Sequence, residues 1–370
     1  MDALEVSKKV SFEGLNETQK KIADALNWLN LEDKLKNFLL IEQGKQRREE
    51  YVSGHPYWLT IDPANFCTLK CPFCPTGQSR GSRTKGILSW DNFKKVLDEL
   101  GRYLIHIDFC NWGEPLLNKD IYKMVKLAKQ CNIDTKIDSN LNRLSEKDAE
   151  DMILSGLDKL IVSLDGTTPE TYSKYRIGGD FSKVMAHLKL LLKKRKELGK
   201  SSPYISWQFL VFRHNEHEIE EVKRIGKDIG VDHIGITKAF IGNKDWIPLN
   251  EEYSNYKREE IQDDLTSQYF KPPQDRICNW PWEAITINPN GSVSVCCSVE
   301  DEKDDFGNIF ESSFKEIWNN DKYRQARRFI KDKVKSEKGN NNICIKCKHL
   351  GLINLDILSC HSFFSHPPNV

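Results

Sequence analysis

Along the 370-residue chain the spacing of apolar positions changes period more than once. Residues 1–50 are polar overall, with Ile22, Ala25, Leu26 and Leu29 at helical spacing, then Leu35, Phe38, Leu39 and Ile41 in a second such segment. This predicts a small N-terminal helical extension with a packing role. From residue 57 strands and helices alternate. Residues 57–61 read as a strand, and Ser89 opens a helix with Phe93, Val96, Leu97 and Leu100 on one face. Further strands are expected over 105–109, 135–138, 160–164, 205–212 and 232–237, and helices over 121–129, 182–198 and 216–229. Ser145 with Asp148 spells a capping box before another helix. Such repeated alternation means an α/β fold with a parallel sheet and right-handed crossovers. Chemistry in such folds gathers at the C-terminal ends of the strands.

Residues 242–277 break the rhythm with Tyr253, Tyr256, many charges and Pro272-Pro273, and read as a linker. Beyond it, apolar alternation on both sides of Asn288-Pro289-Asn290-Gly291 spells a β-hairpin. A hairpin brings its ends together, so Cys278 and Cys296 become neighbours. The late pair Cys344 and Cys347, spaced C-x2-C, completes a set of four thiols. By spacing alone such a set fits structural zinc nearly as well as a [4Fe–4S] cluster. Cys296 and Cys297 are adjacent on the expected strand and so face opposite ways. The expected organisation is an extension over 1–50, a barrel domain over 51–241, a linker over 242–277, and a small α+β cluster-binding domain with its tail over 278–370.

Composition narrows the function classes. A hydrophobic share of 39% with 29% charged residues is ordinary for a soluble protein. The net charge of +1 gives no global electrostatic case for nucleic acid or a membrane surface. The run Lys193-Lys194-Arg195-Lys196 ends an amphipathic helix and reads as its solvated C-terminus. No apolar run reaches membrane-spanning length, and the N-terminus lacks the basic and apolar regions of a signal peptide. Eleven cysteines in such a chain argue for metal ligation over disulfides and for a cytoplasmic location.

The candidate chemistry starts after the first strand, at Cys67-Thr68-Leu69-Lys70-Cys71-Pro72-Phe73-Cys74. Three soft thiolates in so short a loop can meet at one iron–sulfur cluster. A cubane held by three cysteines keeps one iron without a protein ligand, free to chelate a small molecule. Polar clusters follow the next strands: Asn111-Trp112-Gly113-Glu114-Pro115, then Ser139-Asn140-Leu141-Asn142, then Ser163-Leu164-Asp165-Gly166 with Arg176, then His214-Asn215-Glu216. The loop and these stations resemble the signature of the radical S-adenosylmethionine (SAM) enzymes. The resemblance implies a partial (β/α)6 radical SAM barrel. It implies Cys67, Cys71 and Cys74 as ligands of a SAM-binding [4Fe–4S] cluster, with Phe73 beside it. Gly113 and Glu114 would hold the SAM amino group, Ser139 and Asn140 the ribose or carboxylate, Ser163, Asp165 and Arg176 the next station, and Asn215 the adenine edge. One electron from the cluster would cleave SAM to a 5′-deoxyadenosyl radical that removes hydrogen from substrate.

The C-terminal pattern resembles the SPASM/twitch extension of the same enzymes: Cys278, Gly291 with Cys296 five positions later, Gly307-Asn308-Ile309, Trp318, and the C-x2-C pair. It implies one auxiliary [4Fe–4S] cluster on Cys278, Cys296, Cys344 and Cys347, in the twitch-like form, because only Cys360 follows the pair. The glycine spacing favours Cys296 as the ligand, which leaves Cys297 as a packed thiol. Relatives with one such cluster imply a two-electron dehydrogenation of a secondary alcohol on a sugar or aminocyclitol-like substrate, with flavodoxin or ferredoxin as electron donor. The alternatives are a radical epimerase, with Cys110 or Cys360 as hydrogen donor, and modification of a peptide or protein. No nucleic-acid or membrane partner is expected.

Overall fold

The structure, a computed structural model, describes residues 14–255, 278–332 and 342–347. Cys360 lies outside the described residues. Two helices, α1 (Glu17–Trp28) and α2 (Glu32–Gln46), form the N-terminal extension. Asn16 and Gln19 cap α1 reciprocally, which satisfies amides that the first turn leaves without partners. Ile22, Leu26, Phe38 and Ile41 are buried. The helical stripe also buries charge. Lys45 Nζ donates to Glu42 Oε1 and Glu283 Oε2 at 2.6 Å each, and the Tyr57 hydroxyl, with one hydrogen to donate, lies within hydrogen-bond distance of both carboxylates. That network joins the extension to a residue far along the chain.

Six parallel strands follow: β1 (Trp58–Ile61), β2 (His106–Asp108), β3 (Asp134–Ser139), β4 (Lys159–Ser163), β5 (Tyr204–Val211) and β6 (His233–Lys238). They differ from the expected ranges only at their ends. The crossover helices are α3 (Trp90–Leu100), α4 (Ile121–Gln130), α5 (Glu146–Leu154), α7 (Phe181–Glu197) and α8 (Ile219–Ile229). Ser89, Ser145 and Asp180 each accept from the amide three residues on, so the side chain starts the helix. Gly230, at φ 81°, ends α8 in the left-handed conformation that disfavours a side chain. Helix α6 (Pro169–Tyr175) has no counterpart in the sequence reading. Seven residues are too few for an apolar period to show, and Thr168 with Pro169 at the first turn was its only signal.

The hairpin strands do not stand apart from the barrel. After α9 (Trp280–Glu283), β7 (Ala284–Ile287) lies parallel to β1, with Trp58 opposite Ala284 and Ile61 opposite Ile287. β8 (Ser292–Ser294) and β9 (Gly307–Asn308) continue antiparallel. The result is one nine-stranded sheet in the order β6-β5-β4-β3-β2-β1-β7-β8-β9. Helices α10 (Phe314–Trp318) and α11 (Asp321–Asp332) close this end. Arg327, fully buried, stacks on Trp318 and Tyr323 and donates to the carbonyls of Glu50, Pro281 and Trp318. Burial pulls its guanidinium down to about 9.

Candidate active site

The cysteine loop leaves β1 and is bent back by close backbone contacts. A side chain at Gly113 would place its Cβ 1.5 Å from the Ala64 carbonyl oxygen, so only glycine lets the loops after β1 and β2 cross. Asp62, at the end of β1, accepts from the amides of Asn111, Trp112 and Gly113. Burial raises its carboxyl to about 6 against those three bonds. Nothing in the spacing pointed to Asp62.

Cys67, Cys71 and Cys74 line one open cavity of about 540 Å³ together with Phe73, Cys110, Gly113, Glu114, Ser139, Asn140, Ser163 and Arg176. The structure thus brings most of the expected stations to one place. Burial pushes the Cys67 thiol up and Cys71 up to about 11. Both prefer the neutral form unless a metal takes the thiolate. Asn140 Nδ2 donates to Cys67 Sγ at 3.4 Å. Glu114 Oε1 accepts from the Ser139 hydroxyl at 2.7 Å, and Oε2 from the Asn140 amide at 2.9 Å. One carboxylate therefore locks the loop after β2 to the loop after β3. Phe73 sits in an aromatic wall with Tyr175, Phe212 and Trp246.

Two expected residues stand behind this wall. Asp165 is fully buried and holds Arg176 Nε and the Leu210 amide. It orients Arg176, whose Nη1 reaches to 3.9 Å from Cys71 Sγ. Asn215 is also fully buried, and its amide group serves Phe212, Leu210 and the Asp165 carbonyl. It braces the loop after β5 and does not line the cavity.

At the other end of the sheet, Cys278 and Cys344 lie within electrostatic reach of Cys296, and Cys347 within reach of Cys344. Here the sequence reading needs a correction. β8 ends at Ser294, so Cys296 and Cys297 lie in the turn beyond it and strand alternation does not orient them. Cys297 lies within electrostatic reach both of Cys296 and of Asp108 and Lys136 in the barrel. No disulfide joins the described cysteines to one another. No three His, Cys, Asp or Glu side chains among the described residues converge on a single ion. Ser298 and Glu300 line the 540 Å³ cavity and also a second one, of about 250 Å³, walled by Cys296, Cys344 and Cys347.

Comparison with known proteins agrees with this geometry. Residues 61–225 match the radical SAM superfamily, and residues 278–348 match the SPASM iron–sulfur cluster-binding domain. The chain is 23% identical, over 74% of its length and 84% of the relative's, to a tungsten-containing aldehyde ferredoxin oxidoreductase cofactor-modifying protein of Pyrococcus furiosus. It is 23% identical to the PqqA peptide cyclase of Gluconobacter oxydans, over 71% and 76% of the two chains. Among solved structures, SuiB of Streptococcus suis bound to S-adenosylmethionine has the same fold, with TM-score 0.57 and 16% identity over 80% of this chain and 73% of that one. No described helix is long and apolar enough to cross a membrane. The chain belongs to the radical SAM superfamily, an enzyme built on SAM and a [4Fe–4S] cluster, with a C-terminal SPASM domain for an auxiliary cluster.

Proposed function

We propose that the enzyme oxidises a C–H bond beside a hydroxyl group, on a polar substrate of sugar or aminocyclitol type, with the auxiliary cluster as electron acceptor. In this reading Cys67, Cys71 and Cys74 hold the first cluster, and Cys278, Cys296, Cys344 and Cys347 the auxiliary one. When bound, SAM and the first cluster supply a radical that removes one hydrogen atom from substrate. Gly113, Glu114, Ser139, Asn140, Ser163 and Arg176 bind and orient SAM, with Asp165 and Asn215 behind them. Phe73 with its aromatic neighbours screens that side of the cavity from water. The observation that carries the oxidation reading is the shared wall: Ser298 and Glu300 border both thiol-lined cavities. One short turn is all that separates a substrate in the larger cavity from the auxiliary site. On a wall that is otherwise largely apolar, Asn111, Asp138, Gln208 and Thr237 offer hydrogen-bonding groups to a hydroxylated substrate.

Cys110 favours a second reading, epimerisation. It lines the cavity, and burial beside Asp138, Asp62 and Glu114 holds its thiol neutral, the form that can donate a hydrogen atom. The peptide named for the Gluconobacter relative supports a hydroxylated side chain of a peptide as a variant substrate. Anaerobic incubation of polyols, aminocyclitols and hydroxyl-bearing peptides with SAM and a reductant, followed by mass analysis, separates these. Loss of two hydrogens supports oxidation. Unchanged mass in H2O, with one deuterium gained in D2O, defeats it in favour of epimerisation. A reducing partner such as flavodoxin or ferredoxin belongs to this proposal.

A further inference from the structure

Below the strand ends, β2 and β3 carry charged side chains into the barrel interior. Strand side chains alternate in direction, and Phe109 turns outward to Phe93 of α3. His106 and Asp108 therefore face inward, opposite Asp134, Lys136 and Asp138. They form one bonded row. His106 Nδ1 lies 2.6 Å from Asp134 Oδ2, and Nε2 lies 3.0 Å from Asp108 Oδ1. Trp58 Nε1 donates to Asp108 Oδ2 at 2.8 Å. Lys136 Nζ reaches Asp108 Oδ1 at 2.9 Å and Asp138 Oδ2 at 3.5 Å.

His106 bridges Asp134 and Asp108 through its two ring nitrogens. Asp138 stands at the cavity end of the row, where the lysine contact is longest. Its other oxygen, Oδ1, is buried and has no hydrogen-bond partner. The side chain as a whole is about one-third exposed where it borders the cavity, so the carboxylate can meet a donor arriving there.

The other carboxylates on the cavity wall are unsuited to that task. Both oxygens of Glu114 are committed to Ser139 and Asn140, and Glu300 is exposed to solvent. Asp138 also lies on the same wall as Cys67, Cys71 and Cys74.

We propose that Asp138 is the proton acceptor of the reaction: it takes the proton of the substrate hydroxyl as the carbon bearing it becomes a carbonyl. The proposal rests on the oxidation reading above. In balance, the carbinol carbon gives one hydrogen atom to the SAM-derived radical. The O–H bond breaks, its proton passes to the Asp138 carboxylate, and one electron leaves for an oxidised iron–sulfur cluster as the C=O double bond forms. Lys136 and Asp108 tune this group from β3 and β2, Lys159 adds a positive charge from β4, and Cys110 flanks it from the loop after β2. Burial raises the Asp138 carboxyl above the usual aspartate range, and Lys136 opposes the rise.

Asp138→Asn keeps the shape and loses the basicity. With a deuterated polyol as probe, carbonyl product formed per 5′-deoxyadenosine is expected to fall about a hundredfold or more, and Asp138→Glu to restore part of it. Full coupling in Asp138→Asn would overturn the assignment. Infrared difference spectra of protein labelled with 13C-aspartate test the group without any substrate. The wild type is expected to show a carboxyl band titrating above the ordinary aspartate range that Asp138→Asn lacks. Identical spectra would also overturn it. If no polyol is oxidised by the wild type, the oxidation reading falls, and the infrared comparison alone then decides whether Asp138 is a poised base.

Discussion

Replacing Arg83 with methionine should open the C-terminal end of the sheet while leaving the barrel strands closed. Arg83 belongs to the loop that follows the three cysteines, yet its partners are in the cluster-binding domain. Its guanidinium grips Asp305 through two bonds, at 2.7 and 2.8 Å, and also donates to Ser294 Oγ and the Val299 carbonyl. The side chains of the pair are only 12% and 6% exposed, so solvent screens them little. Methionine fills similar space but leaves Asp305 as a buried charge without its cation. Breaking a buried pair on one side costs about 3–5 kcal/mol. At 1.4 kcal/mol per factor of ten, local opening should become about two to three and a half powers of ten more frequent. Amide hydrogen exchange reads this directly and needs no two-state unfolding. Phe306 and Ile309 donate their amides to Val293 and Gly291 across β8 and β9 and report on this end. Phe109, bonded to Lys136, is the barrel control. The double variant Arg83→Met with Asp305→Leu removes both charges and should recover most of the protection. Equal exchange in the single and double variants would refute the electrostatic account. Unchanged exchange in Arg83→Met would refute the idea that this pair ties the two cysteine regions together.

Substituting Cys67, Cys71 and Cys74 together by alanine should abolish SAM cleavage and leave about four irons per chain; retained cleavage would end that assignment. Glu114→Ala should weaken SAM binding with iron content unchanged, because it also frees Ser139 and Asn140; equal SAM affinity by calorimetry would remove Glu114 from the site. Replacing Cys344 and Cys347 should remove the auxiliary iron and loosen α11, since ligation is also folding energy. In that variant 5′-deoxyadenosine should still form while oxidised product drops, and zinc in place of iron in anaerobically prepared protein would defeat the electron-transfer role. Asp62 is held near pKa 6, above its unfolded value, so the folded state binds the extra proton and this group's contribution to stability declines as pH rises from about 4 to 6. Asp62→Asn should lack that segment of the stability–pH curve, and superimposable curves would contradict the raised value.

The sequence alone determined what depends on local spacing. The C-x3-C-x2-C loop, the capping residues Ser89 and Ser145, and the period of each strand and helix are set by neighbours along the chain, and they appear in the fold where the sequence puts them. The strand-top stations were legible for the same reason, since a βα unit fixes where its loop must lie. Contacts between distant segments were not legible. That β7 would lie parallel to β1 depends on register between residues more than 220 positions apart, which no local pattern encodes. The hold of Asp62 on the Gly113 loop, the link of Arg83 to Asp305, and the row from Asp134 through His106, Asp108 and Lys136 to Asp138 arise only when separate strands and loops meet. In sequence, Asp108, Lys136 and Asp138 look like ordinary polar positions. Burial on the inner face of the sheet turns them into one coupled charge system, because desolvation makes each charge depend on the partner that the fold brings to it.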